Sequence, residues 1–139
     1  MKTKHYLMLE DAELLLNHAH QYAIQHAFNV SIAIVDETGI LLAMKRMDGA
    51  SPMTANLCLE KAKCSAISRR PSKLFEDIIK NGQMGFLTMD SFSGMLEGGE
   101  PILYAGQLVG AVGVSGVKSF QDAEIAQHAI QAFLANMPE

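Results

Sequence analysis

A small antiparallel sheet flanked by helices, an α/β fold, is what this sequence predicts, and three observations carry the prediction. Two pairs of Val- and Ile-rich segments are each joined across a glycine-containing turn. Stretches with helical spacing or helix-start signals lie before, between and after them. No repeat, charge block or low-complexity linker divides the 139 residues. The expected element order is α-β-β-α-α-β-β-α in one domain spanning 1–139, and a chain of this length with 49% hydrophobic residues buries roughly two-thirds of its extended surface in a single core.

From about Leu9 to Phe28, residues Ala12, Leu16, Ala19, Ala23 and Ala27 recur at helical spacing while Asn17, His18, Gln21 and Gln25 point elsewhere, which predicts an amphipathic first helix. Val30–Asp36 and Ile40–Met47 read as strands, with Gly39 supplying the positive φ that a tight hairpin needs. Ser51-Pro52 places a capping hydroxyl before a proline suited to the first helical position, so a second helix is expected to run to about Arg69. Ala55, Leu59, Ala62 and Ala66 mark one side of it, and Met53, Leu57, Cys64 and Ile67 mark nearly the opposite side. A helix apolar on two sides must be covered twice, by the sheet and by a neighbouring helix or a second subunit, so a homo-oligomer is expected. Pro71 ends this helix and Ser72 is expected to cap a short third one to about Lys80, stopped by Asn81-Gly82.

Residues 81–100 hold Gly85, Gly94, Gly98 and Gly99 among Met84, Met89 and Met95, a composition suited to a loop lying close to other backbone or to a ligand. Pro101–Tyr104 and Gln107–Ser115 form a second hairpin across Ala105-Gly106, with Gly110 and Gly113 inviting close approach. Ser119 is expected to cap a last helix with Asp122 at its third position and a core face of Ala126, Ile130, Phe133 and Leu134.

The net charge of −4 disfavours nucleic acid as a partner, because binding to phosphate backbones rests on clustered Lys and Arg. Apolar runs are too short for a membrane span, and Glu10, Asp11 and Glu13 interrupt any export signal core, so a cytoplasmic location is expected. Cys58 and Cys64 on one helix lie about 9 Å apart, beyond the ~7 Å that a disulfide tolerates, and read as buried thiols. No metal site is expected: His18 and His20 are roughly 200° apart around their helix, and no Cys-x-x-Cys or i, i+4 histidine pair occurs. Neither cysteine sits at a helix N-terminus where a thiolate is stabilised, and the glycine run at 110–116 matches neither a phosphate-binding loop nor a nucleophile elbow. Among the charges near element ends, Asp36, Asp48, Lys61, Arg69 and Arg70, the Arg69-Arg70 pair stands out, since guanidinium forks match carboxylates by bidentate hydrogen bonds.

Val35-Asp36-x-x-Gly39, Arg46-Met47-Asp48-Gly49-Ala50, Lys61-Ala62, Arg70-Pro71-Ser72, Glu97-Gly98-Gly99-Glu100-Pro101-Ile102, Gly110-Ala111-Val112-Gly113-Val114-Ser115-Gly116 and Asp122-x-x-Ile125-Ala126, in this order, resemble the GlcG/HbpS-like family, also called the haem-degrading domain family. The resemblance runs over essentially the whole chain. It implies a profilin-like fold with an antiparallel five-stranded sheet, and dimers or higher assemblies. Its members include extracellular haem-binding proteins, the C-terminal domain of a corrinoid adenosyltransferase and stand-alone proteins encoded near metabolic genes. It also implies a haem donor on the first helix, falling here on His18 or His20. Met8 stands where a Ser or Thr cap is usual.

The leading expectation is therefore a small oligomeric protein that binds haem or a related tetrapyrrole, with His18 or His20 as axial donor, Arg69 and Arg70 toward the propionates, and Gly98 and Gly99 in the binding loop. A second is an enzyme or enzyme accessory acting on a small carboxylate or aldehyde, bound by main-chain amides of the glycine loops with Arg46, Lys61 or Arg70 nearby. A third is an assembly module without catalysis.

Overall fold

The computed structural model describes residues 1–138, arranged as helix on sheet on helix. Along the chain run α1 (Leu9–Gln25), β1 (Ser31–Asp36), β2 (Leu41–Arg46), α2 (Pro52–Ser68), α3 (Lys73–Lys80), a 3₁₀ turn (Met84–Thr88), β3 (Gly99–Tyr104), β4 (Gln107–Ser115) and α4 (Ser119–Ala135). The sheet has the order β2-β1-β4-β3 with every pair antiparallel, so the two hairpins lie side by side and β1 and β4 form its centre. It has four strands where the family resemblance implied five. The segment between α3 and β3 lacks alternating apolar residues and forms the 3₁₀ turn and a loop. Residues 3–5 are tied to the second hairpin by the Gln107 side chain, which bonds His5 N and Thr3 O, with no backbone ladder.

Strand alternation sends large residues one way and small ones the other. Ile32, Ile34, Val112 and Val114 face α1 and α4, where they meet Leu15 and Ile125 in the main core. Burying each such side chain stabilises the fold by roughly 1.5–3 kcal/mol. Ala33, Val35 and Ala111 face α2 and meet Cys58, Ala62 and Ala66. With mostly small groups between them, α2 and the sheet approach closely at Gly113. A Cβ added at Gly113 would fall on the Cys58 carbonyl oxygen and 2.6 Å from the Ala62 nitrogen. Gly113 thus admits a helix backbone, whereas a Cβ at Gly110 would meet the Val35 carbonyl of β1 and stand 2.6 Å from the Leu7 side chain.

The predicted helices and hairpins are present with shifted edges. α1 stops at Gln25, three residues early, because Ala27 turns left-handed at φ 56° and is exposed instead of joining the core. Its N-cap is Met8, and Asp11 reaches back to accept from the Met8 amide at 2.8 Å. Ala105 and Gly106 both take positive φ (50° and 75°), the signature of a type I′ hairpin turn. Ser72 occupies the N-cap position of α3 but does not cap it with its side chain; its hydroxyl donates to Leu96 O and accepts from Gly99 N at 2.8 Å, pinning the loop before β3. The cap of α4 moves one residue back: Lys118 is the N-cap and the Gln121 side chain accepts from its amide at 3.2 Å. Asp122 is thereby freed from capping and turns inward.

The two-sided character of α2 is met in part within the chain. Cys64 packs with Phe75 of α3 and Phe92 of the loop, whereas Met53 and Ile67 stay exposed. Both thiols are free and fully buried, and burial pushes each up to about 12. Among the described residues, no helix is long and apolar enough to cross a membrane.

One buried acid lies on the α4 side of the sheet. Glu100 of β3 is 9% exposed and accepts from the Gln127 amide at 3.1 Å. Burial pushes its carboxyl above the ordinary range, the Gln127 bond opposes this, and nearby Glu97 adds to the rise. A raised carboxyl holds its proton longer in the folded chain than in the unfolded one. Its stabilisation is complete below the unfolded value of 4.5 and is lost as pH rises through the folded value. Glu100→Gln is therefore expected to raise the urea midpoint at pH 7 and to bring no advantage near pH 4. A lower midpoint at pH 7 would contradict this.

Candidate functional site

Where β4 ends and α4 begins, a cleft of about 270 Å³ opens between α2 and the sheet. Its floor is Lys61, placed mid-helix on α2 and only 3% exposed. The Lys61 ammonium lies 3.1 Å from Asp122 Oδ2 and donates to Val114 O at 3.1 Å. Asp122 Oδ1 accepts from the Val117 amide at 3.1 Å, which ties the pair to the loop entering α4. Burial pushes the Asp122 carboxyl up, and the Lys61 charge and the Val117 amide pull it back. Beside this pair, Ser31 and Thr54 share a buried hydroxyl contact of 2.8 Å, and Ser115, 4% exposed, lines the cleft.

Gly98 and Gly99 belong to this same region. A Cβ at Gly98 would stand 2.6 Å from Val114 O and 2.9 Å from Lys61 Nζ, and one at Gly99 would fall on the Lys61 carbonyl. Both positions keep space for the lysine and its helix.

A second cleft, of about 390 Å³, lies on the other face of the sheet at the start of β1 and the end of β2. It is lined by His20, Asn29, Lys45, Arg46, Met47 and Asp48. Lys45 donates to Asn17 Oδ1 at 2.9 Å and lies 3.5 Å from His20 Nδ1. His18, half-buried on another side of α1, is not in this cleft. His26 and His128 are engaged otherwise, His26 stacked on Tyr22 and His128 tilted against it, with ring centroids 4.1 and 4.5 Å away.

The third hollow, about 430 Å³, is an apolar groove between α3 and the 81–97 loop, walled by Ile79, Leu87, Met89 and Phe92. No imidazole lines it.

The six residues singled out from the sequence are thus not brought together. His20 lies at one end of the β1–β2 hairpin. Arg69, left-handed at φ 64°, and Arg70 are exposed past the end of α2, which reaches the other end of that hairpin, where Gly39 stands against Ile67. Six strand residues at about 3.3 Å each put some 20 Å between those ends. The cations beside His20 are Lys45 and Arg46 instead. Sequence reading placed Lys61 among charges near element ends, whereas it lies mid-helix and buried. The available signal was its place three residues after Cys58 and four before Ser65, on one face of α2.

The model of the family described as "Haem degrading protein HbpS-like" matches residues 7–131. The chain belongs to the HbpS-like family. This HbpS-like chain is 40% identical over 115 residues to Protein GlcG of Escherichia coli K12, covering 83% of the chain and 85% of that relative. Its fold superposes on Klebsiella pneumoniae protein ORFY with a TM-score of 0.91 at 26% identity, over 99% of this chain and 97% of that one. It superposes on the PduOC:heme complex with a TM-score of 0.83 at 26% identity, over 92% and 95%.

Proposed function

We propose that this HbpS-like chain binds haem or a related tetrapyrrole in the His20 cleft, with His20 as axial donor and Lys45 and Arg46 toward the propionates. One observation carries the reading: a single cleft joins a half-buried imidazole to two cations, the donor set that an iron porphyrin with two carboxylate arms requires. The haem-related description of the family and the heme complex of PduOC support the choice of ligand. The residues present fit the group. For Nε2 to serve as donor, the imidazole must carry its proton on Nδ1, and Lys45 can then withdraw to Asn17 Oδ1, which it already contacts at 2.9 Å. When bound, the haem would supply a redox-active iron; the chain's part is to hold and orient it. The cleft is open, and the exposed Met53 and Ile67 support self-association as part of the same reading.

Titration with ferric haem, followed by absorbance, tests this. Wild type is expected to give a saturable Soret shift at one haem per chain. His20→Ala should weaken it at least tenfold, while His18→Ala and the Arg69→Glu/Arg70→Glu double variant should titrate like wild type. Loss of the shift in His18→Ala with His20→Ala intact would contradict the assignment.

A further inference from the structure

The cleft above Lys61 has its own chemistry and lies on the sheet face opposite His20. Three donors converge on it. Lys61 carries three N–H donors, of which Val114 O and Asp122 Oδ2 engage two. Ser115 is 96% buried by the fold, its residue lines the cleft, and its hydroxyl bonds no other described residue. At the start of α4, the Lys118 carbonyl takes the Gln121 and Asp122 amides, and the amide of Ser119, which lines the cleft, has no partner among the described residues. Lys118 at the N-cap offers no side-chain acceptor for it.

The charge balance selects the ligand. Asp122 already neutralises Lys61, so the net excess is the partial positive charge of the helix terminus, roughly half an elementary charge. That suits a singly charged oxyanion better than a dianion. A volume of about 270 Å³ falls just below the ~300–1,000 Å³ usual for ligand pockets, which favours a ligand of a few heavy atoms. Leu57 and Leu96 on the walls favour a short apolar tail. We infer that this cleft binds a small monocarboxylate, its oxygens held by the Lys61 ammonium, the Ser115 hydroxyl and the Ser119 amide.

The test uses propionate as probe on the ¹⁵N-labelled full chain, with inorganic phosphate and n-propanol as comparisons. Propionate is expected to shift the Ser119 amide resonance saturably, phosphate more weakly and n-propanol not at all. Ser115→Ala should raise the Kd for propionate about tenfold, the loss of one hydrogen bond to a charged group. Ser119→Pro should do the same while preserving the fold, since proline is accepted at the first helical position and Lys118 is already extended at ψ 146°. His20→Ala should leave propionate affinity unchanged, which separates this site from the haem reading. No saturable shift, phosphate binding tighter than propionate, or both variants binding propionate like wild type would each overturn the proposal.

Discussion

Lys61→Met is expected to lower the stability of the chain by about 3–5 kcal/mol, the range seen when one partner of a buried ion pair is removed and the other is left charged without compensation. Both members are 3% exposed, so the Asp122 carboxylate would keep only the Val117 amide. For a domain with a total of about 5–15 kcal/mol, that is a large share. Asp122→Asn should cost a comparable amount by stranding the ammonium. Replacing both at once, Lys61→Met with Asp122→Leu, should cost clearly less than the sum of the single changes, because neither charge is then left alone. Urea unfolding of the two single variants, the double variant and wild type reads this coupling. Additive losses, or a Lys61→Met loss under 1 kcal/mol, would show that the pair does not hold α4 to α2.

Gly113→Ala is expected to be nearly as damaging, costing about 3 kcal/mol, the upper end for overpacking a filled interior. The added methyl would meet the Cys58 carbonyl and the Ala62 nitrogen, which are backbone atoms and cannot rotate aside. α2 would have to lift from the sheet along its length, opening the layer of Ala33, Ala62, Ala66 and Ala111. Gly85→Ala is the internal comparison: a Cβ there meets nothing within 4 Å, and its midpoint should match wild type within experimental error. Equal urea midpoints for Gly113→Ala and wild type would show that the helix tolerates displacement.

What the sequence disclosed and what it concealed divide along the range of the interactions involved. α1, the two hairpins and the start of α2 rest on neighbours within a few positions, such as the alanine spacing of 12 to 23, the Ala105-Gly106 turn and Ser51-Pro52. These were legible. The start of β3 was misplaced by two residues because Gly99-Glu100 reads as loop until its partners, Gly113 and Val112, are known. Ser119 looked like a cap on sequence grounds, yet the helix begins one residue earlier because Gln121 satisfies Lys118. Asp122 is then taken by Lys61, 61 positions away, a partnership no local spacing announces. The His20 cleft was half visible. The imidazole was named from the family resemblance, but the adjacent cations come from β2, a strand whose register against β1 only the fold fixes. Arg69-Arg70, the conspicuous pair in sequence, lies about 20 Å along the hairpin from that imidazole.

The most direct measurement of the functional account is a crystal structure of the chain grown with haem. The iron is expected within bonding distance of the His20 Nε2, with Lys45 and Arg46 at the propionates. Iron held by another side chain, or the macrocycle seated in the apolar groove between α3 and the methionine-rich loop, would contradict it.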